Sequence, residues 1–310
     1  MWMRVAQKRA ETADVVSLVL EREDGSEVPC WTPGAHVDIC VADFVRQYSL
    51  CSVPAQRQAW RLGVLGQAAG RGGSVAVSGL NEGDVVEVSE PRNHFEFLES
   101  RRYLFVAGGI GITPILPMVQ AAHDAGAEWR LVYGGRSRAT MAFTEELAAY
   151  GDRVTLISED EEGLIDLKAT LARSDDETRI YACGPEPMLD ALEVAMDRGV
   201  PGVLHLERFS PKTLADVPED EPFEVEFVTS GISRTVPVGR SILEIAVEEG
   251  LDVFSSCEEG TCGTCVTSIL SGCADHRDSL LTKAEQDRHD VMCICVSRAQ
   301  PNSGPLCLDL

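Results

Sequence analysis

Hydrophobic positions fall into distinct rhythms along this chain. Up to about residue 98 they form short runs that alternate with polar positions and stop at turn residues. These runs are VVSLVL at 15–20, closed by E-D-G-S, HVDI at 36–39 after Pro33-Gly34, RLGVL at 61–65 and DVVEV at 84–88. Short strands punctuated by Gly and Pro predict a β-barrel. From about residue 101 the runs become continuously apolar: YLFVA at 103–107, WRLVY at 129–133, VTLI at 154–157 and IYAC at 180–183. Helical patterns lie between and after them, reaching 125 and covering 144–150, 164–172 and 185–198. Strand–helix alternation predicts a parallel sheet with helices on both faces. Residues 210–221 (SPKTLADVPEDE) have no periodicity and read as a linker. Beyond it, 223–228 and 234–238 predict a hairpin and 242–249 a helix. The expected divisions are a barrel at 1–99, an α/β domain at 100–209, the linker, and an α+β domain at 222–310.

Composition narrows the function classes. The chain has 310 residues, 44% hydrophobic and 25% charged, as an ordinary multidomain globular protein does. Its net charge of −23 argues against nucleic acid or anionic membrane as partners, since both require a cationic surface. Solubility and steering towards a partner with a basic face both fit that charge. No apolar run approaches the roughly 18 residues of a membrane span. The start, M-W-M-R-V-A-Q-K, lacks an apolar signal core. The expectation is a cytoplasmic protein with reduced thiols, and a monomer is the simplest assembly.

The densest chemical signal is C-E-E-G-T-C-G-T-C, which places Cys257, Cys262 and Cys265, with Cys295 after 29 intervening residues. C-x4-C-x2-C followed by a distant fourth Cys is the spacing by which plant-type ferredoxins hold a [2Fe-2S] cluster. Soft iron and sulfide want four thiolates, and Gly260 and Gly263 let the loop bend close and aim N–H groups at sulfur. Cys293 competes for the fourth position. A zinc ribbon would want a second C-x2-C knuckle, which Cys293-Ile294-Cys295 does not supply. The odd count of 11 cysteines speaks against a disulfide framework.

Two loops lie at the ends of predicted parallel strands. Gly108-Gly109-Ile110-Gly111-Ile112-Thr113-Pro114 joins strand to helix, where glycine lets a pyrophosphate approach the helix N-terminus. It departs from G-x-G-x-x-G, and the acidic residue about 20 positions on is missing. There the second strand ends in Gly134-Gly135-Arg136-Ser137-Arg138, placed for an adenosine ribose or a 2′-phosphate, or as solvated loop charge. Cys183-Gly184-Pro185 ends a later strand at the same edge. Nothing in the sequence positions a base to activate that thiol, so it reads as a nicotinamide neighbour.

In the barrel segment, Arg46-Gln47-Tyr48-Ser49-Leu50 and Gly70-Arg71-Gly72-Gly73-Ser74 stand out. With G-G-I-G-I-T-P and C-G-P they resemble the ferredoxin–NADP reductase superfamily. Adding the cysteine loop, His276-Arg277-Asp278 and C-V-S-R-A at 295–299, the chain resembles the phthalate dioxygenase reductase family throughout its length. The resemblance implies a flavin domain on the barrel, a nucleotide-binding α/β domain and a ferredoxin-like β-grasp domain. FMN, NADH (NADPH being the other option) and [2Fe-2S] are the implied cofactors. Arg46 is placed at the FMN phosphate, with the Gly72, Gly73 and Ser74 backbone around it. Tyr48, Ser49, Leu50 and Val64 lie along the flavin. Thr113 and Cys183 stand at the flavin–nicotinamide contact as the catalytic pair. Gly109, Gly111, Arg136, Ser137, Gly184 and Pro185 receive the dinucleotide, and Glu207 and Phe209 lie where the chain leaves the sheet. Cys257, Cys262, Cys265 and Cys295 hold the cluster. The implied activity is that of an electron-transfer reductase passing electrons from NADH to a terminal Rieske-type oxygenase. A cytochrome P450 acceptor and a stand-alone flavin reductase are the alternatives.

Overall fold

A computed structural model describes residues 1–67, 72–212, 220–301 and 303–310. Gly70 and Arg71 of the barrel loop and residues 213–219 of the expected linker lie outside the described residues. The chain divides into two units, Met1–Glu207 and Arg208–Leu310.

The first unit opens with β1 (Trp2–Ala10), β2 (Val15–Arg22), β3 (His36–Val41), β4 (Phe44–Ser49), β5 (Ala59–Leu65), α1 (Gly73–Ser78) and β6 (Val85–Val88). The strands form one antiparallel sheet in the order β4-β3-β6-β1-β2-β5. A bridge from Leu50 to Leu62 brings the end of β4 against β5, which turns the sheet towards a barrel. Inward positions such as Leu18, Leu20, Val37, Ile39, Trp60 and Leu62 fill its core. β1 was not foreseen from the pattern. Arg4, Gln7, Lys8 and Arg9 dominate its composition, yet Met3 and Val5 alternate inward and are buried.

The unit continues with β7 (Arg102–Gly108), α2 (Ile112–Asp124), β8 (Glu128–Gly135), α3 (Thr144–Leu147), β9 (Val154–Ser158), α4 (Glu159–Glu162), α5 (Leu167–Leu171), β10 (Thr178–Cys183), α6 (Glu186–Asp197) and β11 (Val203–Glu207). Its parallel sheet has the order β11-β10-β7-β8-β9. The order reverses between β7 and β10, where open α/β sheets take ligands. The helix expected over 164–172 begins late, because Asp166 caps it by accepting the Ala169 N–H at 3.0 Å.

Barrel and sheet meet through small and large partners. A Cβ on Gly63 of β5 would fall 2.6 Å from Thr113 Cγ2 and 3.1 Å from the Phe143 ring. Phe143 holds φ +62, a conformation that costs a side-chain-bearing residue about 1–2 kcal/mol. The Arg61 guanidinium lies 5.1 Å from its ring centre and also bonds Glu146 at 2.9 Å.

The second unit has β12 (Phe223–Phe227), β13 (Ile232–Val236), α7 (Ile242–Glu248), β14 (Val266–Ser271), β15 (Ala274–Asp275), α8 (Lys283–Gln286), β16 (Val291–Cys293), β17 (Arg298–Ala299) and β18 (Leu306–Leu308). Its main sheet runs β13-β12-β18-β14-β16, with β12 and β18 parallel. The second hairpin strand ends before Pro237, which has no N–H for the ladder. Ser241 and Glu244 form a capping box at the start of α7. Ile242, Ile245 and Ala246 of α7 then pack with Val225, Phe227, Ile269, Met292 and Leu308, a helix on a mixed sheet in the β-grasp manner.

Candidate functional site

The cysteine loop between α7 and β14 is wound by three residues at positive φ, Glu258, Gly260 and Gly263. Its thiols come as facing pairs. Cys262 donates to Cys257 and, with burial opposing, holds that thiol down at about 5. Cys293 and Cys295 both face Cys265, and their hydrogen bonds hold it down at about 3. Backbone donors surround the sulfurs. Glu259 N reaches Cys257 Sγ at 3.3 Å, Thr261 N the same sulfur at 3.5 Å, and Thr264 N reaches Cys262 Sγ at 3.5 Å. The Gly260 N–H serves Cys295. Such donors stabilise anionic sulfur. Among the described residues no group of three or more donors is gathered for a single ion.

Cys293 and Cys295 differ in what they face. Cys293 lies in β16, fully buried, and feels Asp278 and the Cys265 pair. Cys295 pairs with Cys265 and is served by the Gly260 N–H of the cysteine loop. The H-R-D segment braces the loop. Ser279 N donates to Gly260 O at 2.9 Å, while Asp278 Oδ2 accepts Leu281 N at 2.7 Å and Leu280 N at 3.2 Å. Arg277 is tied to Asp220 and Asp275 at 2.7 and 2.8 Å.

At the switch point of the parallel sheet the turns after β7 and β10 touch. A Cβ on Gly111 would sit 2.3 Å from Cys183 O, and one on Gly184 would sit 2.9 Å from Gly108 Cα. A Cβ on Gly108 would meet Pro185 Cδ at 2.4 Å. Only glycine permits this approach. Gly109, at φ +54, has nothing within 4 Å of its Cβ position and presents bare backbone. Thr113 is buried, and its hydroxyl donates to Ile110 O at 3.0 Å. Cys183 is buried too. Burial pushes its thiol well above the ordinary range, so it is no nucleophile at neutral pH. At the end of β8, Arg136 is exposed and makes no ion pair among the described residues. Ser137 is occupied in a capping box with Thr140.

On the barrel, the Arg46 guanidinium lies against the start of α1, where a Cβ on Gly73 would fall 2.3 Å from Nε. It sits 5.2 Å from the Phe44 ring centre and makes no ion pair among the described residues. Gly72 turns into the helix at φ +91, and Ser74 Oγ accepts Gln67 N at 3.1 Å. Tyr48 packs partly on the barrel core, and burial raises its phenol to about 12. Leu50 and Val64 point into that core, which leaves only their backbone for a ligand. Ser49 is buried and hydrogen-bonds Glu207, an association between β4 and β11 that no sequence pattern signals. Burial lifts the Glu207 carboxyl to about 8 against the opposing Ser49 bond, and its Oε2 has no partner among the described residues. Phe209 belongs to the second unit and is exposed.

A family pattern described as "2Fe-2S iron-sulfur cluster binding domain" matches residues 227–300. One described as "Oxidoreductase NAD-binding domain" matches 105–193. A toluene-4-sulfonate monooxygenase system reductase subunit of Comamonas testosteroni is 38% identical over 99% of this chain and 98% of its own. The crystal structure of phthalate dioxygenase reductase, a modular structure for electron transfer from pyridine nucleotides to [2Fe-2S], superposes with a TM-score of 0.72. It is 34% identical and covers 100% of this chain and 98% of its own. The chain belongs to the phthalate dioxygenase reductase family. Like other members it is an electron-transfer oxidoreductase with a nicotinamide-nucleotide domain and a [2Fe-2S] domain. An intact type IV self-sufficient cytochrome P450 monooxygenase superposes with a TM-score of 0.91 at 37% identity, but the chain spans only 41% of that protein. Among the described residues no helix is long and apolar enough to cross a membrane.

Proposed function

We propose that this reductase takes electrons from NADH, passes them through a bound FMN to a [2Fe-2S] cluster held by Cys257, Cys262, Cys265 and Cys295, and delivers them to a Rieske-type oxygenase. The observation that carries the reading is the set of thiols in facing pairs ringed by backbone N–H donors. Two pairs suit two irons, where a single zinc would draw four ligands to one point. Cys295 is the preferred fourth ligand because its spacing matches the plant-type loop and the Gly260 N–H of that loop serves it.

FMN, when bound, accepts a nicotinamide's electron pair and releases electrons singly. The chain's own groups fit it. Arg46 makes no ion pair among the described residues, and its guanidinium lies against the Gly73 backbone, where it can hold a phosphate bidentately. Tyr48 offers an aromatic face. Glu207 keeps its proton at neutral pH and hydrogen-bonds Ser49, so it supplies a polar edge without a buried charge. Gly109 and Gly111 admit a pyrophosphate, and Arg136 and Ser137 border the adenosine. Gly184 and Pro185 hold the second turn against the first. Thr113 and Cys183 act by packing, which fixes the flavin–nicotinamide approach. Glu207 and Phe209 mark the chain's exit from the sheet. The division into 1–99, 100–209 and 222–310 is part of this reading.

The superposition on a P450 fusion favours a second reading, a P450 acceptor. The near-complete coverage of separate oxygenase reductases supports the first more strongly. Anaerobic addition of NADH tests the proposal. Loss of flavin and iron–sulfur absorption together supports it, and a colourless preparation without iron and labile sulfide defeats it.

A further inference from the structure

The end of β8 carries two arginines with different circumstances. Arg136 is exposed and makes no ion pair among the described residues. Arg138 is occupied, since its Nη2 donates to Glu162 at 2.8 and 3.1 Å and to Leu156 O at 3.0 Å. Glu162 is itself fixed. It accepts Ser158 N at 2.6 Å and the Ser158 hydroxyl at 3.2 Å, and these bonds, led by the backbone one, hold its carboxyl below the usual range. Glu162 closes α4, whose four residues are all acidic, and Asp160 N bonds Arg136 O at 3.2 Å. The acidic turn is thus folded back onto the arginine loop.

We infer that Glu162 sets the nucleotide preference of this reductase by occupying Arg138 and excluding a 2′-phosphate. The inference rests on the reading above that the end of β8 receives the adenosine ribose. A ribose hydroxyl needs no countercharge there, and it can donate a hydrogen bond to a carboxylate. A 2′-phosphate brings nearly two negative charges. It meets one available guanidinium, one already neutralised, and the carboxylates of α4. The Arg138–Glu162 pair is exposed and contributes little to stability. Glu162 can therefore be replaced with the fold retained, so that a change in nucleotide recognition can be read directly.

Calorimetric titration with 2′,5′-ADP and 5′-AMP tests this on the intact chain. Glu162→Gln keeps an oxygen for the Ser158 N–H but gives up the charge and releases Arg138. The ratio of 2′,5′-ADP affinity to 5′-AMP affinity is expected to rise about tenfold, the scale of one charge-assisted phosphate contact. A partly unfolded preparation would lower both affinities equally and leave the ratio alone. Adding Arg138→Ala to Glu162→Gln is expected to return the ratio to the wild-type value. An unchanged ratio in Glu162→Gln, or a gain that survives in the double variant, overturns the role of Glu162. A wild type that already prefers 2′,5′-ADP overturns both the inference and the NADH reading. A wild type that prefers 5′-AMP with an unresponsive Glu162→Gln overturns the inference alone.

Discussion

Replacing Gly260 with alanine strikes the cysteine loop where it has no space for a side chain. Gly260 holds φ +72, and an added Cβ would lie 2.6 Å from Val296 Cγ2 and 3.0 Å from Asp278 Cα. Neither neighbour yields easily. Val296 is β-branched and stiff. The Asp278 backbone is anchored, because its side chain accepts the Leu280 and Leu281 N–H groups and Ser279 N bonds Gly260 O. The left-handed conformation costs about 1–2 kcal/mol and the overpacking about 1–3 kcal/mol. Displacement also loosens the Gly260 N–H from Cys295. A total of about 2–5 kcal/mol shifts cluster retention by about thirtyfold or more. The assay is iron and labile sulfide per chain, with cluster absorption followed through a urea titration. Gly250→Ala is the control in the same unit, having φ +76 and nothing within 4 Å, so it bears the conformational cost alone. Full iron and sulfide in Gly260→Ala, with bleaching at the wild-type urea concentration, would refute the reasoning.

Two further outcomes follow from the buried groups. Cys262→Ser and Cys295→Ser are expected to keep NADH-driven flavin reduction and lose cytochrome c reduction, while Cys293→Ser retains most of both; equal losses at 293 and 295 would contradict the pairing. Glu207 has its folded pKa raised to about 8 from 4.5, so the folded state holds its proton longer than the unfolded state. The Glu207 penalty is absent below about pH 4.5 and grows as pH rises to about 8, by about 1.4 kcal/mol per unit and up to about 5 kcal/mol in all. Glu207→Gln removes that slope, which urea unfolding at pH 5, 7 and 9 reads as a widening advantage for the variant.

Local chemistry made much of this molecule readable. The continuous apolar runs at 103–107 and 180–183, bounded by turn residues, read as strands covered on both faces, and they are β7 and β10. The cysteine spacing located a loop that folds with its sulfurs facing one another. Less was readable where tertiary contacts decide. The outward side of β1 is so charged that its two inward residues did not register, and a register shift between Val5 and Gln7 breaks the alternation further. β16 and β18 are three residues each, too short for any period. The Ser49–Glu207 and Arg138–Glu162 associations join segments that only the fold brings together. The motif around Leu50 does not reveal that its side chain belongs to the barrel core, which leaves its backbone for a ligand.

Everything in this account requires that electrons entering from a nicotinamide reach the cysteine-bound centre. Low-temperature paramagnetic resonance after anaerobic NADH addition tests that most directly. An iron–sulfur signal is expected in the wild type and is expected to disappear in Cys262→Ser while the flavin is still bleached. A wild-type protein that holds iron, sulfide and flavin, and whose flavin NADH reduces without any iron–sulfur signal appearing, would contradict it.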